Sequence, residues 1–155
     1  NPEDAAVLIN KYASDDAIFT VDTGMTCVWA ARLIKASKNR YLTGSFNHGS
    51  MANALPMAIG AAASDKNKQV IAMCGDGGLS MLLGDLATVM QYQYPIKIFV
   101  FNNRSLGMVK LEMEVSGYID WQTNMINAPF DKIAELMNIK GIEVKNYQDL
   151  EPIAS

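Results

Sequence analysis

Residues 69–103, QVIAMCGDGGLSMLLGDLATVMQYQYPIKIFVFNN, contain the pattern that decides the fold. The stretch 69–74 is almost continuously apolar, which is typical of a strand buried on both faces of a sheet. A second apolar run spans 96–101, and between the two runs apolar residues recur at helical spacing as far as Tyr92. The residues predicted to share that helix face are Leu79, Leu82, Leu83, Leu86 and Met90. The pattern predicts two parallel strands joined by a helical, right-handed crossover.

The segments on either side continue the alternation of strands and helices. Before the crossover, the expected elements are a strand at 17–22, a helix at 26–37, a strand at 41–45 and a helix at 51–64. After it, the expected elements are helices at 106–115 and 130–137, an irregular polar segment at 117–127 and a late strand at 141–144. Helix 26–37 is expected to turn Val28, Ala31 and Ile34 inward, and Pro56 suits only the first turn of helix 51–64 or a kink. The sequence therefore predicts an α/β domain with a mainly parallel central sheet and helices on both faces.

The length and net charge of the chain indicate how many domains it contains and which partners it is not expected to bind. The chain has 155 residues, half of them apolar, which suits one globular domain with a sizeable core. It opens with Asn1 rather than Met, so we expect residues 1–155 to be a single domain excised from a larger protein. The net charge of -3 leaves no basic surplus for a phosphate backbone, so nucleic acid is not expected as a partner.

No segment looks like a membrane span or a signal peptide. The longest weakly polar stretch, 51–63, contains Asn53 and is shorter than the about 20 apolar residues that a spanning helix needs. The first residues are acidic rather than basic. Cys27 and Cys74 lie in apolar surroundings without metal-ligand spacing, which indicates buried thiols and a reducing, cytoplasmic location.

Asp76 and Asn103 follow the two strands of the crossover. A helix of about 15 residues advances roughly 22 Å and a strand of about 7 residues returns roughly 23 Å, so both residues should reach the same sheet edge. Their carboxylate and amide oxygens are ligands that Mg²⁺ prefers, alongside phosphate oxygens. Gly77 and Gly78 open the helix and leave N–H groups for an anion. The combination predicts a diphosphate bridged by Mg²⁺ at the carboxyl edge of the sheet.

Other interpretations of these residues are weaker. Gly-Asp-Gly alone is a common turn and Asn-Asn a common loop pair, but their placement in a strand-helix-strand unit favours a site. A dinucleotide fingerprint would need a third glycine where Ser80 stands, and an acid where the second strand ends in Asn102 and Asn103. A P-loop is excluded because no Gly-Lys-Ser/Thr is present.

With 24 residues between them, Gly75-Asp76-Gly77 and Asn102-Asn103 resemble the thiamine diphosphate motif of the thiamine-dependent decarboxylase and oxidase superfamily. The stretches 48–56, 72–78 and 100–107 look like those of bacterial pyruvate oxidases, particularly the acetate-forming, quinone-linked kind. The resemblance covers nearly the whole chain, as the C-terminal diphosphate-binding domain of a three-domain enzyme.

The resemblance implies a role for each matched residue. Mg²⁺ would be held by the side chains of Asp76 and Asn103 and the carbonyl of Ser105. The diphosphate would lie against backbone groups of the residues around it, which are Gly75, Gly77, Gly78, Leu106 and Gly107. Thr23 would lie near the diphosphate or the active centre.

The ring end of the cofactor has its own predicted contacts. The carbonyl of Gly49 and the N–H of Met51 would bond the aminopyrimidine. The Met51 side chain would wedge between the two cofactor rings and hold their V shape, although a core methionine is the plainer interpretation outside the matched context.

A pocket for substrate is implied next to the metal loop. Met108, Val109 and Glu112 match positions that line it, and Glu112 would position the adduct or relay a proton. A solvated helix face shared with Glu114 is the alternative for Glu112. For His48, the only histidine, a hydrogen bond to a residue that holds the cofactor, a contact with the flavin region and acid-base work all remain open. The segment 117–127 is a candidate cover for the site.

The reaction implied for the full enzyme is oxidative decarboxylation of pyruvate to acetate or acetyl phosphate and CO₂, with electrons passed to FAD and then to quinone or oxygen. By the same resemblance, FAD binds mainly to another domain, and a neighbouring subunit's N-terminal domain supplies a catalytic glutamate. The full enzyme would be a homodimer or homotetramer that touches the inner face of the membrane only through a tail. The isolated chain is expected to be inactive.

Two other functions remain open from the sequence. The same motif serves acetolactate synthase and the non-oxidative 2-keto acid decarboxylases. The chain could also be a non-catalytic assembly module, but a module without a ligand has no physical need to keep both Asp76 and Asn103.

Overall fold

The computed structural model describes residues 1–150 and contains a four-stranded sheet in which every neighbouring pair is parallel. The strands are β1 (Ile18–Val21), β2 (Tyr41–Gly44), β3 (Val70–Gly75) and β4 (Ile96–Phe101). Their order across the sheet is β2-β1-β3-β4. The predicted α/β class and the parallel central sheet are confirmed.

Helices surround this sheet. Within residues 1–150 the α-helices are α1 (Pro2–Tyr12), α2 (Met25–Leu33), α3 (Ala54–Ser64), α4 (Asp76–Met81), α5 (Leu86–Tyr92), α6 (Gly107–Val115) and α7 (Phe130–Leu136). Short 3-10 turns lie at Leu83–Asp85 and Tyr147–Asp149. In that part of the chain no helix has the length and apolar character needed to cross a membrane.

The crossover from β3 to β4 brings the ends of both strands to one edge of the sheet. Val70 pairs with Ile96 at one end of the ladder, and Gly75 pairs with Phe101 at the other. Asp76 follows β3 directly, and Asn103 lies two residues beyond β4. Ligands of parallel α/β sheets bind at this carboxyl edge.

Both faces of the sheet are covered, which explains why β3 is apolar along its length. Ile71 and Met73 belong to a core that includes residues of α1 and α2, whereas Val70, Ala72 and Cys74 belong to a core that includes residues of α3 and α5. These five side chains are at most 2% exposed. The sheet is therefore rigid on both sides beneath the edge that carries Asp76 and Asn103.

Helix α1 is not among the elements expected from the sequence, although its first residues carry helix-start signals. The Asn1 side chain accepts a hydrogen bond from the N–H of Glu3 at 3.1 Å, and Pro2 stands at the first helical position. Glu3 and Asp4 place negative charge at the positive end of the helix dipole.

The predicted continuous helix as far as Tyr92 is wrong. Helix α4 ends at Met81, and Leu82 leaves the helical region with φ -123° and ψ 37° before α5 begins at Leu86. Because the two helices on either side of this break do not continue one helical repeat, the five apolar residues predicted to share a face do not all point to the core. Leu79 and Leu86 are buried, but Leu82 and Met90 are 42% and 39% exposed.

Two smaller expectations also need correction. Helix α2 ends at Leu33 rather than at residue 37, and it buries Ala30 while Ala31 is exposed. Residues 141–144 form no strand in the described chain, and Ile142 and Val144 are more than 40% exposed, so their alternation with polar residues does not follow a core face. Helix α3 begins at Ala54 rather than at residue 51, and Pro56 lies inside its first turn, as expected.

The two cysteines are free thiols. Cys74 is buried in β3, as predicted, whereas Cys27 on α2 is only partly buried.

Candidate functional site

A cavity of about 370 Å³ lies at the carboxyl edge of the sheet. Its walls come from the turn after β1, the loop before α3, the start of α4 and the chain from the end of β4 into α6. Of the predicted site residues, those that line it are Thr23, Gly49, Met51, Gly75, Asp76, Gly77, Gly78, Asn103, Ser105, Leu106, Gly107, Met108 and Val109. The structure therefore gathers these separate stretches of sequence around one space.

Glu112 is the predicted site residue that does not line the cavity. Only the first turn of α6, with Met108 and Val109, reaches it, and Glu112 lies one turn further on with an exposed side chain. Glu114 is exposed as well, so both acids fit a solvated helix face in this structure. His48 is also exposed and outside the lining.

Asp76 is a buried carboxylate with one occupied and one open oxygen. It is 3% exposed, and Oδ2 accepts hydrogen bonds from the backbone N–H of Arg104 at 2.9 Å and from Nδ2 of Asn127 at 2.7 Å. No described residue donates to Oδ1. Since Asp76 lines the cavity, this arrangement leaves one carboxylate oxygen for a ligand.

The loop after β4 is shaped by a local turn. Oδ1 of Asn103 accepts a hydrogen bond from the N–H of Ser105 at 3.0 Å, which is an Asx turn. An amide oxygen has two lone pairs, so one remains for another partner. The hydroxyl oxygen of Ser105 is buried and has no hydrogen-bond partner among the described residues.

Met51 lies directly over the start of α4. A Cβ added to Gly77 would come within 3.0 Å of Cε of Met51 and 3.1 Å of Cδ2 of Leu106. The side chains of Met51 and Leu106 therefore close over Gly77, and a larger residue there would push the ends of both side chains aside. The turn that carries Met51 uses left-handed backbone at Gly49 (φ 71°) and at Ala52 (φ 61°), a strained conformation for alanine.

Asp22 joins the start of α3 to the end of β3 beside the cavity, and it was not among the residues predicted from the sequence. It is 2% exposed; its Oδ1 accepts from the N–H of Ala54 at 2.9 Å and its Oδ2 accepts from the N–H of Gly75 at 3.1 Å. Burial raises the pKa of Asp22, and hydrogen bonds from backbone N–H groups oppose that rise. The only available signal was an acid at the end of a strand just before Thr23.

Residues 120–127, which we call the clamp segment, pair with the loop after β4. The N–H of Leu106 donates to the carbonyl of Thr123 at 2.8 Å, and the N–H of Met125 donates to the carbonyl of Arg104 at 2.8 Å. Ser105 and Asn124 form an antiparallel bridge between these two bonds. The segment predicted to be irregular thus forms backbone hydrogen bonds to the loop after β4, which carries the candidate metal ligands Asn103 and Ser105.

Charged and polar side chains fix the start of the clamp segment. Thr123 is only 1% exposed, and its hydroxyl donates a hydrogen bond to the carboxylate of Asp120. The other oxygen of Asp120 lies 3.0 Å from Nζ of Lys110 on α6. The clamp segment is therefore tied to α6 as well as to the loop after β4.

The donor set suits a hard cation. Residues 1–150 contain no cluster of three or more His, Cys, Asp or Glu side chains that could hold a metal ion. The cavity instead offers one carboxylate, one side-chain amide oxygen and backbone carbonyls, an oxygen set typical of Mg²⁺ held together with a phosphate ligand.

Comparison with known proteins identifies relatives of this domain. The family model "Thiamine pyrophosphate enzyme, C-terminal TPP binding domain" matches residues 22–155. The chain is 38% identical over 151 residues to a Bacillus subtilis (strain 168) protein, YdaP, named as thiamine pyrophosphate-containing. It is 37% identical over 154 residues to the acetolactate synthase large subunit of Porphyra purpurea, and 33% identical over 147 residues to the pyruvate oxidase of Lactiplantibacillus plantarum.

These alignments cover 97%, 97% and 94% of the chain, but only 26%, 26% and 24% of the respective relatives. The chain therefore spans about a quarter of the length of the curated relatives it matches.

Proposed function

Because the chain belongs to the thiamine pyrophosphate enzyme family, as its C-terminal TPP-binding domain, we propose that the cavity binds the diphosphate of thiamine diphosphate through Mg²⁺. The observation that carries this proposal is the shared cavity of Asp76 and Asn103 at the ends of neighbouring strands. Two oxygen ligands from separate strands converge there on one opening.

The chain's own residues fit the proposed metal and diphosphate. The open Oδ1 of Asp76, the remaining lone pair of the Asn103 amide oxygen and the Ser105 carbonyl would hold Mg²⁺. The buried, unpartnered hydroxyl of Ser105 lies in the same wall and would gain a partner from a bound group or its water. A chain lacking a ligand would have no compensation for that buried polar atom.

Further residues would place the organic part of the cofactor. Backbone groups at Gly77 and Gly78 lie beside the proposed metal site, and Met51 stands over Gly77 within the cavity. When bound, thiamine diphosphate supplies the electron sink that allows a 2-keto acid to lose CO₂. Met51 would orient the cofactor rings, and Met108 and Val109 would exclude water from the substrate side.

For the full-length protein we propose oxidative decarboxylation of pyruvate to acetate or acetyl phosphate and CO₂. Electrons would pass to FAD, which a domain outside this chain would bind, and then to quinone or oxygen. The similarity to the pyruvate oxidase of Lactiplantibacillus plantarum supports this proposal. A neighbouring subunit in a homo-oligomer would contribute the catalytic glutamate, so residues 1–155 alone should not turn over pyruvate. We propose a cytoplasmic location, with contact to the membrane through a tail outside this chain.

Acetolactate synthase is the second candidate, and a specific observation favours it. Several relatives similar at 34–37% identity over nearly the whole chain are acetolactate synthase large subunits. Both candidates would use the same metal and diphosphate site in this domain. They differ in the step after decarboxylation. A pyruvate oxidase would pass electrons from the substrate to FAD, whereas an acetolactate synthase would join a second 2-keto acid to it.

Pyruvate-dependent reduction of ferricyanide by the full-length protein tests the choice. The protein would be supplied with FAD, Mg²⁺ and thiamine diphosphate, beside an Asp76→Ala variant and a control, Asp15→Ala, in an exposed residue before β1. We expect reduction with acetate or acetyl phosphate as product, lost in Asp76→Ala and kept in Asp15→Ala. Acetolactate without ferricyanide reduction would identify the synthase, and steady CO₂ release with neither would identify a simple decarboxylase.

A further inference from the structure

Asn127 links the two strand ends that the proposed metal site uses. Its Nδ2 donates one hydrogen bond to Oδ2 of Asp76 at 2.7 Å and another to Oδ1 of Asn102 at 2.9 Å. A primary amide carries two N–H donors, so both are used. Asp76 begins α4 and Asn102 follows β4, and therefore one side chain from the clamp segment spans the gap between them.

This bridge determines which oxygen of Asp76 is available. Oδ2 is filled by Asn127 and by the N–H of Arg104, and Oδ1 receives no described donor. A carboxylate held on one oxygen by two donors cannot rotate freely about its side-chain bond, so its second oxygen keeps one direction. Asn127 does this without bringing a charge, which leaves the negative charge of Asp76 available to a cation.

The position of Asn127 is itself fixed by the clamp segment. Backbone hydrogen bonds from Leu106 to Thr123 and from Met125 to Arg104 hold the segment against the loop that carries Asn103. Asn127 lies two residues after Met125, which forms the second of these bonds. One segment thus contacts both proposed metal-binding elements, through its backbone at the Asn103 loop and through a side chain at Asp76.

We propose that Asn127 is a positioning residue that orients the Asp76 carboxylate for a divalent cation, with the clamp segment as its support. This inference rests on the proposed metal site at Asp76. Partners that orient metal ligands typically change metal affinity 10–100-fold when removed. Asn127→Ala is therefore expected to weaken the cation by about 10–100-fold, although Asn127 does not touch the cation.

Manganese binding to the full-length protein tests the inference without measuring turnover. Free Mn²⁺ is measured by its electron paramagnetic resonance signal at saturating thiamine diphosphate, for the wild type and for Asn127→Ala, Asp76→Ala and Asn39→Ala. Asn39 is an exposed asparagine near the start of β2, at the opposite edge of the sheet, and serves as the matched control. Unfolding temperatures of the apoproteins report whether each variant folds.

The expected result is a dissociation constant for Mn²⁺ raised about 10–100-fold in Asn127→Ala, unchanged in Asn39→Ala and raised further in Asp76→Ala. At saturating Mn²⁺, Asn127→Ala should still bind one equivalent of thiamine diphosphate per site, which a general loss of structure would not allow. Wild-type Mn²⁺ affinity in Asn127→Ala, together with weak binding in Asp76→Ala, would overturn this inference but leave the proposed function. Wild-type affinity in Asp76→Ala would overturn the proposed metal site itself.

If Asn127→Ala does not fold, the same measurement of Mn²⁺ affinity is made on Asn102→Ala. Asn102 is exposed and fixes the second N–H of the Asn127 amide, so its removal frees that amide to turn while Asp76 is untouched. We expect Mn²⁺ affinity to fall several-fold in Asn102→Ala. An unchanged dissociation constant in this variant would contradict the positioning role.

Discussion

The carboxylate of Asp22 occupies the space beside Gly78 that a side chain at position 78 would need. The same carboxylate accepts hydrogen bonds from the N–H groups of Ala54 and Gly75. One buried acid at the end of β1 therefore fixes the start of α3, the end of β3 and the first turn of α4. Close packing at this point holds the loop of Met51 and the start of α4 in one arrangement.

Gly78→Ala is expected to destabilise the protein by about 1–3 kcal/mol or more, because the new methyl group overlaps a carboxylate that cannot move without losing its hydrogen bonds. Urea unfolding measures the change. Gly60→Ala is the matched control, since Gly60 is exposed inside α3 and a Cβ there meets no atom within 4 Å. Gly60→Ala should stabilise the protein by about 0.5–1 kcal/mol. Equal effects of the two substitutions would contradict the packing described for Gly78.

Asp22 should make the stability of the wild type depend on pH in a defined direction, and Asp22→Asn should remove that dependence. Burial raises the pKa of Asp22 in the folded protein, so the folded state takes up this proton before the unfolded chain does as the pH falls. The wild type therefore gains stability from this group on acidification, fully so below the ordinary pKa near 3.8, and loses it as the pH rises through the raised pKa. The variant lacks this titration.

At pH 7 the Asp22→Asn variant should be less stable than the wild type by about 1–3 kcal/mol, because its amide nitrogen cannot accept from a backbone N–H. That deficit should grow as the pH is lowered from 7 towards 4. Urea unfolding of both proteins across this pH range measures the difference in their free energies of unfolding. Titration of the other ionisable groups contributes equally to both proteins and so drops out of that difference. A deficit that shrinks on acidification would show that the pKa of Asp22 is not raised.

Arg40 should contribute strongly to stability although it has no acidic partner among the described residues. The residue is 8% exposed and donates to the carbonyls of Ala13 at 2.6 Å and Ser14 at 3.0 Å, and to Oδ1 of Asn10 at 3.0 Å. These acceptors lie at or just beyond the C-terminal end of α1, where positive charge is favourable.

We expect Arg40→Ala to lower the free energy of unfolding by about 3 kcal/mol, because one buried and two partly buried acceptors lose a charged donor. Arg32→Ala is the control, since Arg32 forms an exposed ion pair with Glu3 at 3.5 Å and should cost less than about 1 kcal/mol. Urea unfolding compares the two. A cost for Arg40→Ala as small as that for Arg32→Ala would refute the role assigned to Arg40.

The two thiols should differ in reactivity. Burial raises the pKa of Cys74 well above its usual value, with a contribution from the negative charge of Asp22, and burial raises the pKa of Cys27 less severely. At pH 8 a thiol reagent is expected to label Cys27 slowly and Cys74 only after unfolding. Peptide mass spectrometry of native and urea-treated protein separates the two sites, with Cys27→Ser as control. Labelling of Cys74 in the native protein would contradict its burial.

Strands that pack against a core on each face were predictable, whereas the break within the crossover helix was not. The apolar runs of β3 and β4 reflect a sheet covered on both sides, so composition alone indicates them. The interruption at Leu82 has only a weak signal, Gly84 in the 3-10 turn that follows it, because the leucines around it favour a continuous helix. The alternation in 141–144 indicated a strand, but alternation does not provide a neighbouring strand to pair with.

The candidate site shows the same division. Asp76 and Asn103 were predictable because both follow apolar runs of one crossover, which the topology returns to a common edge. Asp22 and Asn127 were not, because their contacts join residues 53 and 51 positions apart, and an acid at a strand end is too weak a pattern to mark Asp22 while no local pattern marks Asn127. Glu112 was placed by resemblance alone, and the course of α6 leads it away from the cavity.

Calorimetric titration of thiamine diphosphate into the full-length protein, with and without Mg²⁺, measures whether the cofactor is bound through a metal ion at Asp76. We expect tight binding with Mg²⁺ that weakens by more than about 100-fold when Mg²⁺ is removed or when Asp76 is replaced by Ala, since loss of a direct ligand should exceed the effect of an outer partner. Binding of equal strength in the presence and absence of Mg²⁺, or equal binding by the wild type and Asp76→Ala, would contradict binding through a metal ion at Asp76.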